Sequence, residues 1–417
     1  MSADTAHRKA DKVTLRDYEP IVGRSIVEEL HLLAKGLSGK VVQNVNSTFV
    51  GGGVAEILNR LTPLLNELEV DARWDVIKGD DRFFQVTKKF HNAIHGRSED
   101  ITAQDFDVFQ ETSRKNIQEL QLVGDIMFIH DPQPIELVTR KREIGKKWLW
   151  RCHIDVSQPS PVVWDFLRPY VLQYDAAVFS APSFSQVLPI PQFLISPSID
   201  PLSDKNKELP NDTIDAVLHR YGIPRDKPII TQVSRFDYLK DPVGVIQAFR
   251  IVKRAIDCRL VLAGGTATDD PECEVVLAEV KEHANGDPDI HILLMPPSSD
   301  IEINALQRAS TVILQKSIRE GFGLTVSEAL WKAKPVVASA VGGIPLQVQN
   351  KFTGLLSYGI EGTAFDLKQL LTNPEYAAQL GRNGREHVRQ NFLITRHLKD
   401  YLLAFLMLGR SEEILYL

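Results

Sequence analysis

One stretch limits the possible fold more than any other part of the chain. It lies at 315–345 and reads QKSIREGFGLTVSEALWKAKPVVASAVGGIP. The apolar run before it, at 311–314, has the length and the β-branched residues of a buried strand. A glycine-containing turn follows, and then a helix whose start we predict at Thr325, because Thr325 to Glu328 fits an S/T-x-x-E capping box. Pro335 ends this helix and opens a second apolar strand and a second glycine turn. The order predicts an α/β fold that binds a ligand at the carboxyl ends of parallel strands.

Two carboxylates flank the first glycine turn. Glu320 directly precedes Gly321, and Glu328 lies eight positions after Glu320. Glycines let a ligand approach the backbone, and the free N–H groups of a helix start favour an anion. A carboxylate beside them can accept hydrogen bonds from sugar or ribose hydroxyl groups, so the pattern fits a nucleotide-sugar. Structural roles are the alternatives, with Glu328 as a capping partner and Glu320 as a solvated turn residue.

The composition predicts an ordinary globular protein and excludes several classes. At 417 residues the chain is too long for one simple core, so we predict two domains. The net charge of −6 argues against a nucleic-acid-binding protein. Cys152, Cys258 and Cys273 are too far apart to predict a disulfide framework or a zinc site. No apolar run suits a membrane helix or a signal peptide, so we expect a cytoplasmic protein.

The first half of the chain alternates between strand-like apolar runs and amphipathic helices. We predict strands at 40–47, 70–78, 123–129, 148–155, 176–180 and 193–195. A glycine triplet at 51–53 links the first strand to a helix at 54–68, although its spacing is not that of a dinucleotide-binding loop. The run KKFH at 88–91 is predicted to be a solvated helix face.

Polar residues follow two of these predicted strands. His130, Asp131 and Gln133 come after one strand, where prolines hold the backbone extended. His153 and Asp155 end another, and alternation along the strand would place both side chains on one face. A histidine and a carboxylate together at a strand end favour a binding or catalytic site. A structural role in the loop is the alternative.

A new α/β unit begins after a polar, proline-rich segment at 196–203, which is the best linker in the sequence. Arg235 and Lys240 lie five positions apart in the loop after a predicted strand at 228–233. Such cations can converge on one anion, with arginine binding oxygens in a bidentate way and lysine acting as a point charge. Two loop cations are also often simply solvated. Further strands are predicted at 259–263 and 290–294, and two helices at 374–408.

The run Glu320-Gly-Phe-Gly-Leu-Thr-Val-Ser-Glu328 resembles the E-x7-E motif of retaining glycosyltransferases with the GT-B fold. The resemblance implies an α/β protein with two Rossmann-like domains and an active-site cleft between them. We place the N-terminal, acceptor-binding domain at 1–198 and the C-terminal, donor-binding domain at 199–392. A last helix at about 393–417 is expected to cross back onto the first domain.

The same resemblance implies roles for individual residues. It implies that Arg235 and Lys240, in R-x4-K spacing, bind the diphosphate. The first glutamate of the motif would contact the donor sugar and the second the ribose. The nucleotide base would lie against the end of a strand. The implied donor-binding residues are Gly52, Gly53, Arg235, Lys240, Leu294, Met295, Glu320, Gly321, Phe322, Gly323, Leu324, Thr325 and Glu328. The implied acceptor-binding residues are His130, Asp131, Gln133, His153 and Asp155. The implied catalytic residues are Glu320, His153 and Asp131.

Four segments narrow the resemblance, namely 51–56, 130–134, 150–155 and 197–201. Together they are similar to trehalose synthases of the glycosyl-transferring type, which join the glucose of a nucleoside-diphosphate-glucose to free glucose, reversibly, to make α,α-trehalose. The alternatives are a trehalose phosphorylase, a sucrose- or glucan-forming GT-B transferase, and a non-catalytic nucleotide-sugar-binding protein. One departure is Ala333, where the family commonly has glycine, and we expect only a local packing change there.

The resemblance also implies small-molecule partners. These are UDP-, ADP- or GDP-glucose, glucose and trehalose, and we expect neither a nucleic acid nor a membrane as a partner. The sequence requires no cofactor and contains no visible metal site, but it leaves open whether Mg²⁺ is needed. It equally leaves open whether the protein forms a homodimer.

Overall fold

Two parallel six-stranded sheets, each flanked by helices, form the framework of the protein. The computed structural model describes residues 13–50, 52–265, 272–296 and 298–408. The first sheet consists of β1 (Val41–Asn46), β2 (Asp71–Val76), β3 (Ile126–His130), β4 (Lys147–Cys152), β5 (Ala176–Phe179) and β6 (Gln192–Leu194). Its helices are α1 (Glu19–Val22), α2 (Arg24–Lys35), α3 (Gly52–Glu67), α4 (Asp81–Ile94), α5 (Ala103–Glu119), α6 (Lys141–Ile144) and α7 (Pro161–Val171).

The second sheet is built in the same way from the second half of the chain. It consists of β7 (Ile229–Val233), β8 (Arg259–Gly264), β9 (Ile290–Leu294), β10 (Val312–Gln315), β11 (Val336–Ser339) and β12 (Leu355–Ser357). The remaining helices are α8 (Asn211–Arg220), α9 (Pro242–Lys253), α10 (Glu272–Ala284), α11 (Asp300–Ala309), α12 (Leu324–Trp331), α13 (Ile344–Gln347), α14 (Gly359–Thr372), α15 (Pro374–Asn391) and α16 (Ile394–Leu408).

The strand order reverses once in each sheet. The first sheet has the order β2-β1-β3-β4-β5-β6, and the second has the order β12-β11-β10-β7-β8-β9. In the second sheet the reversal falls between β7 and β10, as in a Rossmann fold, and in the first sheet it falls between β1 and β3. Ligands bind in the crevice at such a point, outside the carboxyl ends of the strands. The predicted α/β fold with two Rossmann-like units is confirmed.

The central strands of both parallel sheets are buried on both faces, whereas the edge strands β2, β6 and β9 are partly exposed. All five residues of β3 and all six of β8 are buried, which suits β-branched and apolar runs covered by helices. No helix within the described parts of the chain is long and apolar enough to cross a membrane.

The last described helix, α16, returns to the first sheet. Its residues Leu398, Leu402 and Phe405 belong to the same apolar cluster as Val42 of β1 and Phe128 of β3. The linker contacts the chain just before α16, because the N–H of Ile199 donates to the carbonyl of Phe392 at 2.9 Å. The expected crossing helix extended to 417, and residues 409–417 lie outside the described residues. The domain boundary at 198 stays a prediction.

Two local predictions are wrong. Helix α12 begins at Leu324 and not at Thr325, because Gly323 takes the N-cap position with a φ of +81°. The Thr325 hydroxyl donates to Oε1 of Gln315 at 3.1 Å instead of capping the helix. Strand β4 ends at Cys152, so the two polar residues after it lie in a loop and strand alternation does not orient them.

Ala333 has a left-handed backbone conformation, with a φ of +54°, immediately after the end of α12. An L-residue pays about 1–2 kcal/mol for this conformation, and glycine does not. We therefore expect Ala333→Gly to raise the free energy of unfolding by about 0.5–1 kcal/mol once the greater chain entropy of glycine is subtracted. The apparent melting temperature in calorimetry would rise.

A matched control uses the exposed Ala378 in α15, where Ala378→Gly should lower stability by about 1 kcal/mol. Destabilisation by Ala333→Gly would contradict the account of the helix end.

Candidate active site

The loops after β7 and β10 meet where the strand order of the second sheet reverses. The β7 loop carries Arg235 and Lys240, and the β10 loop carries Glu320. The Lys240 ammonium lies 2.7 Å from Oε2 of Glu320, and the Ser317 hydroxyl donates to the same oxygen at 3.1 Å. Glu320 is only 8% exposed, so this ion pair is largely desolvated.

The two predicted clamp cations differ in their surroundings. The Lys240 side chain is 16% exposed and is held by Glu320, whereas the Arg235 side chain is 49% exposed and lies 3.0 Å from Oδ2 of Asp237. Asp237 also caps the short 3₁₀ turn before α9 by accepting from the N–H of Lys240. The loop is therefore held by its own carboxylate, and both cations lie near the crevice.

Glycines bring the backbone segments of this site into contact. A Cβ atom at Gly342 would lie 1.6 Å from the carbonyl oxygen of Glu320, so only glycine fits there. The N–H of Gly343 donates to the carbonyl of Gly321 at 3.2 Å. Buried Gln347 donates to the carbonyl of Phe322 at 2.5 Å. The predicted second glycine turn thus supports the first.

Glu328 lies inside α12 and is 2% exposed. Its Oε2 atom is buried and has no hydrogen-bond partner among the residues that the structure describes. Burial raises its pKa, and the Lys205 ammonium, 3.9 Å from Oε1, acts in the opposite direction. Lys205 also donates to Glu56 of α3 at 2.8 Å, so this lysine, two residues after the linker, connects Glu328 to a helix of the first sheet. An unpaired buried acceptor is costly unless a donor group satisfies it.

On the first sheet, His130 and His153 form one hydrogen-bonded unit. Nδ1 of His130 lies 3.1 Å from Nε2 of His153, and Nε2 of His130 lies 3.1 Å from Oδ1 of Asn44. Oδ1 of Asp131 accepts from the backbone N–H of His153 at 2.8 Å. Asp131 itself has a φ of +64°, a strained value at a strand end. This unit holds the β4 loop in one position.

Burial controls the protonation of this unit. It lowers the pKa of His130 to about 3, with the nearby Arg151 guanidinium acting in the same direction. It raises the pKa of Asp131 to about 6. His130 is therefore neutral at neutral pH and can donate from only one ring nitrogen.

The other predicted acceptor residues lie in adjoining loops. Asp155 is buried, and its Oδ1 accepts from the N–H of Ser157 at 2.9 Å. Oε1 of Gln133 is buried and has no hydrogen-bond partner among the described residues. Gln133 thus has an acceptor free for a ligand, whereas one oxygen of Asp155 is used by its own loop.

The two halves of the site touch each other. A Cβ atom at Gly321 would lie 3.0 Å from the carbonyl oxygen of His153, and one at Gly53 would lie 3.3 Å from Cδ1 of Leu324. The loops of both sheets therefore form one cleft. Gly52 and Gly53 form the start of α3, while Gly51 lies outside the described residues.

The predicted base contacts lie elsewhere, at the end of the edge strand β9. Leu294 is 51% exposed, and the N–H of Met295 donates to the carbonyl of Gly264 at 2.8 Å. Their position fits contacts with an extended ligand, but they do not adjoin Glu320. Their role stays a prediction.

The end of helix α4 carries two histidines that the sequence analysis missed. In the run predicted to be solvated, Phe90 is 1% exposed, so that prediction is wrong. His91 and His95 form a ring pair with centroids 4.8 Å apart. Their spacing of four residues on a helix is the signal that could have indicated a shared face.

Comparison with known proteins agrees with this geometry. Residues 44–186 match the model of the trehalose synthase N-terminal domain, and residues 214–387 match that of glycosyl transferases group 1. Trehalose synthase of Rubrobacter xylanophilus is 44% identical over 400 residues, which cover 94% of this chain and 96% of that protein. The chain belongs to the trehalose synthase family.

This family member is therefore a glycosyltransferase, an enzyme that transfers glucosyl groups, and the resemblance drawn from its motifs is confirmed. A more distant relative, trehalose phosphorylase of Pleurotus pulmonarius, is 28% identical across 96% of this chain and 62% of that protein. The GT-B fold is shown by an α,α-trehalose-phosphate synthase of Burkholderia xenovorans, with a TM-score of 0.72, 16% identity, and coverage of 88% of this chain and all of that chain.

Within the described residues, no group of three or more His, Cys, Asp and Glu side chains is arranged to hold a metal ion. Arg235, Lys240 and Glu320 are among the charged groups that the loops after β7 and β10 bring to the crevice.

Gly342 offers a test of how the glycine turn positions Glu320. We expect Gly342→Ala to reduce glucosyl transfer at least about tenfold, because the new Cβ atom must displace the Glu320 backbone and even small displacements are costly in catalysis. Initial rates and a melting curve would be measured together. Gly222→Ala is the matched control, since Gly222 has a φ of +63° but nothing within 4 Å of the added atom. Equal activity of both variants would contradict this role of the turn.

Proposed function

We propose that the enzyme transfers glucose from a nucleoside-diphosphate-glucose to free glucose, reversibly and with retention, to give α,α-trehalose. The proposal rests above all on one contact, the desolvated pair of Lys240 and Glu320 at the reversal point of the second sheet. A cation there can face a diphosphate while a carboxylate faces sugar hydroxyl groups. The backbone of His153 lies against Gly321, so an acceptor-side residue adjoins the donor loop.

The donor half of the cleft supplies charge and hydrogen-bond acceptors. Lys240 and Arg235 would neutralise the charge that builds up on the departing diphosphate, and such electrostatic stabilisation is usually the largest catalytic contribution. Glu320 would orient the donor sugar. The unpaired Oε2 of Glu328 would accept from ribose hydroxyl groups. The N–H groups at the start of α12 favour the same anion.

The acceptor half would hold the attacking glucose. His153 would face the sugar, with His130 and Asp131 as positioning residues, because they bond its ring and its backbone N–H. Gln133 and Asp155 would line the pocket. We propose that the acceptor hydroxyl attacks on the face from which the diphosphate leaves. The anomeric carbon loses its bond to the phosphate oxygen and gains one to the acceptor oxygen, and the released phosphate takes the acceptor's proton.

A product assay tests this proposal. The enzyme would be incubated with UDP-, ADP- or GDP-glucose and free glucose, and the expected products are the nucleoside diphosphate and a non-reducing disaccharide that trehalase cleaves. Transfer to fructose or a glucan in place of glucose would show that the proposed acceptor is wrong, while the proposed donor would stand. Binding of nucleotide without turnover for any acceptor would overturn it in favour of a binding protein.

A trehalose phosphorylase is the second candidate, favoured by the relative of that name. It would form glucose 1-phosphate and free glucose from trehalose and inorganic phosphate without nucleotide, so an assay with those two substrates separates the activities. The cytoplasmic location stays a prediction from the sequence. A Mg²⁺ requirement and the oligomeric state are open to direct measurement, by adding a chelator to the assay and by sedimentation.

A further inference from the structure

The carboxyl end of α4 reaches the loop that carries Glu320. Gly96 has a φ of +82°, and a Cβ atom there would lie 2.7 Å from the carbonyl oxygen of Gln158, so the end of the helix packs directly on the β4 loop. Oε1 of Gln158 accepts from Nη2 of Arg319 at 3.2 Å. Arg319 is the residue immediately before Glu320. Gln158 thus connects this helix end to the donor loop, with its backbone carbonyl against Gly96 and its side chain bonded to Arg319.

His95 occupies the C-cap of α4, next to this contact. It is 8% exposed, and its Nδ1 atom is buried with no hydrogen-bond partner among the residues that the structure describes. Its ring stands against that of His91 in an edge-to-face arrangement. Buried polar atoms in proteins are nearly always hydrogen-bonded, so an unpaired ring nitrogen indicates a group that a ligand can satisfy.

The charged groups around His95 come from both halves of the cleft. Burial lowers its pKa to about 4, and the groups close enough to influence it further are Asp155, Lys240, Glu320 and Arg319. These include the central ion pair of the donor site and a predicted acceptor residue. A neutral imidazole has one donor and one acceptor nitrogen, which suits a sugar hydroxyl group better than a phosphate.

We propose that His95 is a further sugar-binding residue, whose unpaired ring nitrogen hydrogen-bonds a hydroxyl group of the acceptor glucose beside Glu320. The inference rests on the proposed function and adds a residue to its acceptor site. The acceptor is the sugar concerned because His95 caps α4, a helix of the first sheet, and its surroundings include Asp155. The donor sugar is held by residues after β10.

The test separates the two substrates. His95→Ala should raise the KM for glucose about ten- to a hundredfold, the cost of leaving one sugar hydroxyl group unpaired, with less than about a threefold change in the KM for nucleoside-diphosphate-glucose. His95→Asn keeps a polar atom near the position of Nδ1 and should recover part of the loss. His219→Ala, at an exposed histidine of α8, is the matched control and should match the wild type.

Binding measurements make each outcome decisive. Calorimetric titration of glucose into the enzyme saturated with nucleoside diphosphate should give weaker binding for His95→Ala, and titration of the nucleotide itself should give no change. An unchanged glucose KM would overturn the inference. So would a parallel fall in nucleotide affinity and melting temperature in both His95 variants, since that indicates a structural role.

The wild-type result distinguishes this inference from the proposed function. If the wild-type enzyme uses another acceptor sugar, the proposed function fails, and His95 is then tested with that sugar under the same criteria. If the wild type makes trehalose and His95→Ala does so with normal kinetics, only the inference fails.

Discussion

Glu320→Gln should reduce glucosyl transfer by about a hundred- to a thousandfold, the usual effect of removing one group that stabilises charge in a transition state. The amide keeps the shape of the side chain but removes the charge that faces Lys240 at 2.7 Å and that would orient the donor sugar. Glu320→Ala should abolish transfer. Affinity for the nucleoside diphosphate should stay within about threefold of the wild type, because the carboxylate is proposed to contact the sugar and not the nucleotide.

Single-turnover rates and nucleotide titrations would be measured on the same preparations. Glu302→Gln in α11 is a matched control, since the Glu302 carboxylate is paired with Arg220 at 2.8 Å and not with a predicted donor-binding residue. It should leave transfer unchanged. Wild-type transfer by Glu320→Gln would remove Glu320 from the catalytic site.

Lys240→Ala should weaken binding of nucleoside-diphosphate-glucose about ten- to a hundredfold and should also lower the rate of transfer. The Lys240 side chain is only 16% exposed, so its attraction for a diphosphate is screened far less than that of a surface lysine. Arg235→Ala should have a smaller effect because the Arg235 side chain is 49% exposed. The affinities would be measured by calorimetry at two salt concentrations.

Lys115→Ala is the control, because Lys115 is paired with Glu111 at the surface, at 2.9 Å. It should change neither the affinity for nucleoside-diphosphate-glucose nor the rate of transfer. The double variant of Lys240 and Glu320 should lose less than the sum of the single losses, because the two residues share one interaction. Wild-type affinity in Lys240→Ala would exclude this residue from diphosphate binding.

Much of the fold follows from local patterns. The apolar runs of β3, β8 and β10 are long enough only for buried strands, and helices alternate with them, so parallel sheets are the expected outcome. The glycine turns at 321–323 and 342–343 have the sequence of close backbone approaches, and the structure places them in contact. The E-x7-E run was recognisable because both carboxylates and the intervening glycines lie within one short segment.

The errors arose where distant contacts override a local motif. Thr325-Val-Ser-Glu328 has the letters of a capping box, but the left-handed conformation of Gly323 starts the helix one residue earlier. Thr325 then bonds to Gln315, and Glu328 turns into the interior. A pattern of four residues does not contain this information.

The acceptor side shows the same limit. Strand alternation suggested that His153 and Asp155 share a face, but β4 ends before both, and their positions depend on Asp131 and Ser157 instead. His95 was missed because the charged groups around it come from three separate segments of the chain, at Asp155, Lys240 and 319–320. Only the folded chain brings a helix end to the donor loop.

The sequence by itself determined the two α/β units, the family, and the segments that carry the candidate residues, because these depend on the periodicity and composition of contiguous stretches. The tertiary structure decided which of those residues meet. It paired Lys240 with Glu320, placed His153 against Gly321 and left Nδ1 of His95 without a partner among the residues that the structure describes. Such contacts join residues tens to hundreds of positions apart, and they are selected by packing and by the satisfaction of buried polar groups, which no local pattern records.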